Sequence, residues 1–214
     1  MAAYLAYHRT AMHGGVVGDM YGNDPFVWAV PFVWSHCNAR NRPKWFGVTP
    51  RPPFVHGRDA VFFAGHHPET GELVCDSVLV LQQRLDIAAA EALWPETHPI
   101  RHYHFDQDRN AGHASSTFTR VADPDLSFVV HPAMPLGEGI EAFVTEAKTT
   151  IASYFGQPRI KNARRLNNPQ GLYDLILEWV AREGHQRLPR IPLRTLAKVQ
   201  LEHPAPHPIE WDFP

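Results

Sequence analysis

No apolar run in this 214-residue sequence is long enough to cross a membrane as a helix. The most apolar stretch, Phe26 to Trp34, falls far short of the roughly 20 residues required and is interrupted by Pro31. Cysteine is scarce. Cys37 and Cys75 are the whole complement of a chain too large to depend on a staple, so free thiols in a reducing compartment are expected rather than a bridge. Met1 to Arg9 lacks the basic start and following apolar stretch of a secretion signal. A cytoplasmic protein without a membrane partner is the expectation. A dominant charge is missing too. The formal net charge of −2 leaves no global footprint for a polyanion, so any such surface has to be local. There is no phosphate-cradling glycine loop, no dinucleotide fingerprint and no Cys-x-x-Cys. Ser35-His36-Cys37-Asn38 contains nucleophile and base types, but neighbours in sequence rarely face one another, and catalytic triads assemble in space.

What is present is globular. Hydrophobic residues make up 44% and charged residues 20%, and the length suits one domain with a sizeable core. Twenty prolines imply many turns and short elements, and fourteen histidines are too many to be all functional.

The first two-thirds reads as strands and loops. Ala3 to His8 predicts a strand, 11–25 a glycine-rich loop, and Phe26 to Trp34 a strand broken at Pro31. A proline-rich loop covers 35–58. Ala60 to Ala64 and Leu73 to Gln83 predict a hairpin turning at 67–72, and Asp86 caps a short helix over Ile87 to Trp94. Arg101 to Asp106, Ser116 to Val121 and Ser127 to Val130 predict further strands. From 138 the period becomes helical: Ile140 to Tyr154, then a helix opened by Asn168-Pro169 with Leu172, Leu175, Ile176, Trp179 and Val180 on its apolar face, then Leu193 to Leu201. The expected organisation is α+β, with a β-rich part over 1–137, a helical part over 138–202 and a Pro/His tail over 203–214.

Two constellations could carry chemistry. If 102–108 is extended, His102, His104, Asp106 and Asp108 share one face, with His98 and His113 nearby. Imidazole and carboxylate donors suit a divalent metal such as zinc, manganese or iron, and the candidate ligands are His102, His104, Asp106 and His113. His104-x-Asp106 also resembles the first half of a non-haem iron facial triad, and His102-x-His104 the start of a cupin motif without its flanking glycines. The competing reading is a solvated strand face followed by a polar turn. The second constellation is basic and aromatic. No Asp or Glu lies between Asp24 and Asp59, while Arg40, Arg42, Lys44, Arg51 and Arg58 alternate with Trp34, Trp45 and Phe54. Cations for phosphate beside rings that stack on bases are what single-strand or flipped-base binding needs. The competing reading puts the rings in the core and the arginines on loops. A further basic block, Arg159, Lys161, Arg164 and Arg165, suits phosphate or simply a solvated helix face.

The segment Arg51 to Gln83 resembles the small-barrel core of PUA-like domains, of the EVE and ASCH branches, and the nucleotide-modification-associated domains of phages and bacteria. The likeness rests on Gly57-Arg58-Asp59-Ala60-Val61-Phe62-Phe63-Ala64-Gly65, a turn, and Leu73-Val74-Cys75-Asp76-Ser77-Val78-Leu79-Val80. It implies a small mixed barrel or strongly curved sheet with a helical C-terminal third, and recognition or modification of a nucleobase in an aromatic pocket. It carries over no catalytic residue. The leading functional expectation is therefore a nucleic-acid or nucleotide-associated domain. A metal-dependent hydrolase or oxygenase acting on a nucleotide-like substrate is the second, and a non-catalytic interaction protein the third.

Overall fold

The computed structural model describes residues 3–10, 27, 29–34, 58–106, 118–143 and 164–190. Its strands are β1 (Ala3–Thr10), β2 (Val33–Trp34), β3 (Ala60–His66), β4 (Leu73–Asp86), β5 (Phe118–Ala122), β6 (Phe128–Pro135), β7 (Arg164–Arg165) and β8 (Gln186–Leu188). The helices are α1 (Ile87–Glu91) and α2 (Pro169–Val180), joined by a π-helical turn at Arg101–Asp106 and a 3-10 helix at Glu138–Phe143.

The strands form one mixed sheet in the order β2-β5-β4-β3-β1-β7, with β6 against β4 and β8 against β6. Among the described residues the path ends at β2 and β7, which do not pair. The sheet is thus not closed into a barrel among the described residues. The long strand β4 organises it. It pairs antiparallel with β3, while β5 and β6 run antiparallel to it one after the other, β5 against Leu81–Asp86 and β6 against Val74–Val78. The join between β5 and β6 is fixed by Asp123 and Ser127. Asp123 accepts from the backbone N–H of Asp125 and Leu126 and from the Arg58 guanidinium, while Ser127 Oγ accepts from Val80 N and donates to Val80 O. Burial alone would raise the Asp123 pKa, but Arg58 and the two backbone donors together hold it below the usual carboxylate value.

The run Ala60 to Ala64 is buried throughout, as expected of a strand covered on both faces. Alternation sends Phe63 and Val61 into one cluster with Trp34, Trp94 and Phe105, and sends Phe62 into the other with Phe128, Leu172 and Ile176. Thus α2 covers one face, and α1 with the segment to Phe105 covers the other. The β3–β4 turn places Gly71 at φ +71°, with Gly71 N donating to His67 O, a conformation that glycine adopts without a Cβ penalty. Asn168 and Pro169 open α2 as their types dictate, the Asn168 side chain accepting from Gly171 N at 3.1 Å. Asn168→Ala is expected to destabilise the protein by about 1 kcal/mol, read as a lower denaturant midpoint at unchanged m-value.

Several expectations need correction. Among the described residues of 26–34, Val27 lies in a turn, 29–31 bend, and the strand is Val33–Trp34. Leu175 is exposed rather than on the buried face of α2, which Leu172, Tyr173 and Ile176 form. The helical C-terminal third also supplies β7 to β1 and β8 to β6, so it is woven into the sheet. Residues 144–163 and 191–214, with the helices expected there and the tail, lie outside the described residues. No helix among the described residues is long and apolar enough to cross a membrane.

Candidate functional site

The histidine row rests on an extended 102–108, and residues 101–106 are helical instead. Local bonds explain this. His98 O accepts from Arg101 N and His98 Nδ1 from Ile100 N, starting a turn. The Arg101 guanidinium then reaches back to Glu91 O at 2.6 Å, the last carbonyl of α1, and to Trp94 O at 3.4 Å in the turn that follows it. The helical turn brings His102 Nδ1 within 3.8 Å of Asp106 Oδ2, but sends His104 inward against Phe105, ring centroids 4.6 Å apart. His104 is only 3% exposed, and burial pulls its pKa down to about 3, so its imidazole is neutral. Of the expected ligands, therefore, His102 and Asp106 are brought together, His104 is not with them, and His113 lies outside the described residues. Among the described residues no group of three or more His, Cys, Asp or Glu could hold a metal ion. On β4, Asp76 is the extra residue in the pairing with β3 and is fully buried, accepting from Ser77 Oγ at 3.0 Å. Burial, and then Asp76, push the neighbouring Cys75 thiol up, so Cys75 is the inert core thiol its sequence position implies.

The basic, aromatic constellation divides differently. Arg40, Arg42, Lys44, Trp45, Arg51 and Phe54 lie outside the described residues. Trp34 is described, and at 1% exposure it is a core residue, edge-on to Phe63 with centroids 5.7 Å apart. Its ring offers no open face for a base. Instead the Arg120 guanidinium lies over it, 5.4 Å from the centroid. Of the later block, Arg164 and Arg165 form β7, opposite Leu5 and Tyr4 on β1. Burial raises the Tyr4 phenol pKa while Arg165 opposes the rise.

The described residues assemble a different basic row. Trp34 pairs with Arg120 across β2–β5, and Arg120 pairs with Arg84 across β5–β4, so the three are directly opposed on neighbouring strands. An irregularity between Leu81 and Gln83, one residue short of Arg84, sets this register. Arg84 is exposed and Arg120 partly buried. Burial, with help from Arg84, draws the Arg120 pKa down to about 10, and Asp59 acts in the opposite sense. Arg84 and Arg120 are absent from the sequence-based candidates. The signal was there in Thr119-Arg120-Val121-Ala122, an arginine inside an apolar strand, but its partner depends on a long-range register that spacing does not reveal.

Comparison with family models, curated proteins and solved structures finds no match to this chain.

Proposed function

We propose that this chain is a nucleotide or nucleic-acid-associated binding domain whose phosphate-facing surface includes Arg84 and Arg120. The observation that carries the reading is the pairing of two arginines directly opposite in register on adjacent strands, with the Arg120 guanidinium laid over the Trp34 indole. An anion beside two like charges that are directly opposite in a ladder is attracted by both of them. Guanidinium is also the side chain whose planar fork matches phosphate oxygens. The acid-free stretch supports the same place. The chain leaves β2 at Trp34, opposite Arg120, and returns at Arg58, which is paired with Asp123 just after β5. Both described ends of the stretch carrying Arg40, Arg42, Lys44 and Arg51 are thus tied to the strand that bears Arg120. The resemblance of Arg51 to Gln83 to PUA-like and nucleotide-modification-associated domains points to the same class of ligand.

Anisotropy of a labelled single-stranded oligonucleotide is expected to rise on titration with the protein, with log affinity falling linearly in log salt. Absent binding, or affinity indifferent to salt, would overturn the reading.

A further inference from the structure

The helical segment over 99–106 starts on a histidine cap. His98 Nδ1 accepts from Ile100 N at 3.2 Å, His98 O accepts from Arg101 N, and Pro99 takes the first helical position. Asn, Asp, Ser or Thr usually serves as such a cap, and none of them gains a proton near neutrality. An imidazole does. Protonation turns Nδ1 from an acceptor into a donor and sets a positive charge at a helix N-terminus, and both changes act against the cap. Further along, His104 is buried against Phe105, and among the described residues burial is what draws its pKa down to about 3. His102 acts in the opposite sense, because its contact with Asp106 becomes an ion pair on protonation, but Asp106 is partly exposed and water screens that gain.

The segment covers one side of the core. Ile100 and Phe105 are buried in the cluster that holds Trp94, and the Trp94 ring meets those of His98 and Phe105, each at 6.2 Å between centroids. The tie to α1 is polar, from the Arg101 guanidinium to Glu91 O, with a second bond to Trp94 O. Of the described elements, α1 packs most closely against the segment. The charged and titratable groups of this region are Asp86 and Glu91 on α1, Glu96 in the turn that follows, and Arg101, His102 and Asp106 on the segment itself. The closed arrangement is also opposed from within. Trp94 Nε1 is buried with no hydrogen-bond partner among the described residues, and opening returns that donor to water. We propose that His98–Asp106 is an acid-sensitive cover on the Trp94 side of the core, released when His98 and His104 take up protons. Its release uncovers the rings of Trp94 and Phe105. The cover does not depend on the binding role proposed above.

The test is native-state hydrogen exchange of the whole chain, followed residue by residue at pH 7 and pH 5 in low denaturant and corrected for intrinsic rates. Amides of Arg101–Asp106 are expected to exchange through an opening nearly independent of denaturant, while those of β3 and β4 exchange through denaturant-sensitive global unfolding. The opening constant of the segment should rise about 25-fold from pH 7 to pH 5 through the proton taken up by His104, and further through His98. His104→Gln should remove most of that rise. His98→Asn keeps a capping acceptor and does not titrate, so it should lessen the rise while leaving protection at pH 7 intact. Segment amides that open only together with β3 and β4 would overturn the cover, as would an opening constant equal at the two pH values. A rise that survives unchanged in both variants would place the proton uptake elsewhere and refute this assignment.

Discussion

Trp34→Ala is expected to destabilise the protein by about 3–5 kcal/mol, the cost of emptying a large aromatic site in a packed core. The indole is 1% exposed, meets Phe63 edge-on and carries the Arg120 guanidinium over its ring. Its loss removes transfer free energy, leaves a cavity beside β2 and β5, and takes away the support that positions Arg120. Had Trp34 been a surface platform for bases, the same change would cost only about 0.5 kcal/mol. Denaturant unfolding separates the two: a midpoint shift equivalent to less than about 1 kcal/mol would contradict the core placement. A loss of oligonucleotide binding in this variant would report disrupted positioning of Arg120, not loss of base stacking.

The second large effect is a stability that depends on pH through His104. Burial draws its folded-state pKa down to about 3, while in the unfolded chain it titrates near 6.5. Between those values the unfolded state binds the proton and the folded state does not. Stability through this group is therefore full above about pH 6.5 and declines as pH falls toward 3, by about 1.4 kcal/mol per pH unit. Between pH 7 and pH 5 the contribution is a loss of about 2 kcal/mol. His104→Gln removes this titration, so its stability should fall by about 2 kcal/mol less than that of the parent over the same interval. Matching acid dependence in the two proteins would show that His104 is not buried as a neutral imidazole.

Where local chemistry decides, the sequence was legible. Asn168-Pro169 followed by Leu172 and Ile176 specifies α2, cap included, and Asp86 specifies the start of α1 through its bond to Ala89 N at 2.8 Å. The β3–β4 hairpin was readable from its apolar runs and Gly71. The failures have physical causes. His102-Tyr103-His104-Phe105 alternates polar and aromatic residues as a strand would, yet Arg101 bonds to the end of α1 and His98 starts a turn, and those bonds choose a helix. The strands β7 and β8 consist of Arg164–Arg165 and Gln186–Leu188, too short and too polar for periodicity to register; backbone pairing with β1 and β6 makes them strands. The candidate site followed the same rule. Sequence flagged Trp34 for its company of cations, but the cation that lies over its ring in space, Arg120, comes from β5, through a long-range register. The metal row depended on one secondary-structure assumption and lost its geometric basis with it.

The proposed role of Arg84 and Arg120 is most directly tested by the salt dependence of affinity for a 5′-phosphorylated oligonucleotide, measured side by side for the parent protein and Arg84→Gln. Each phosphate contact removed from a single strand should lessen the slope of log affinity against log salt by about 0.7. A shallower slope in Arg84→Gln, by about that amount, is the predicted result. Parallel slopes with equal affinities would contradict a phosphate contact at Arg84, and with it the central claim.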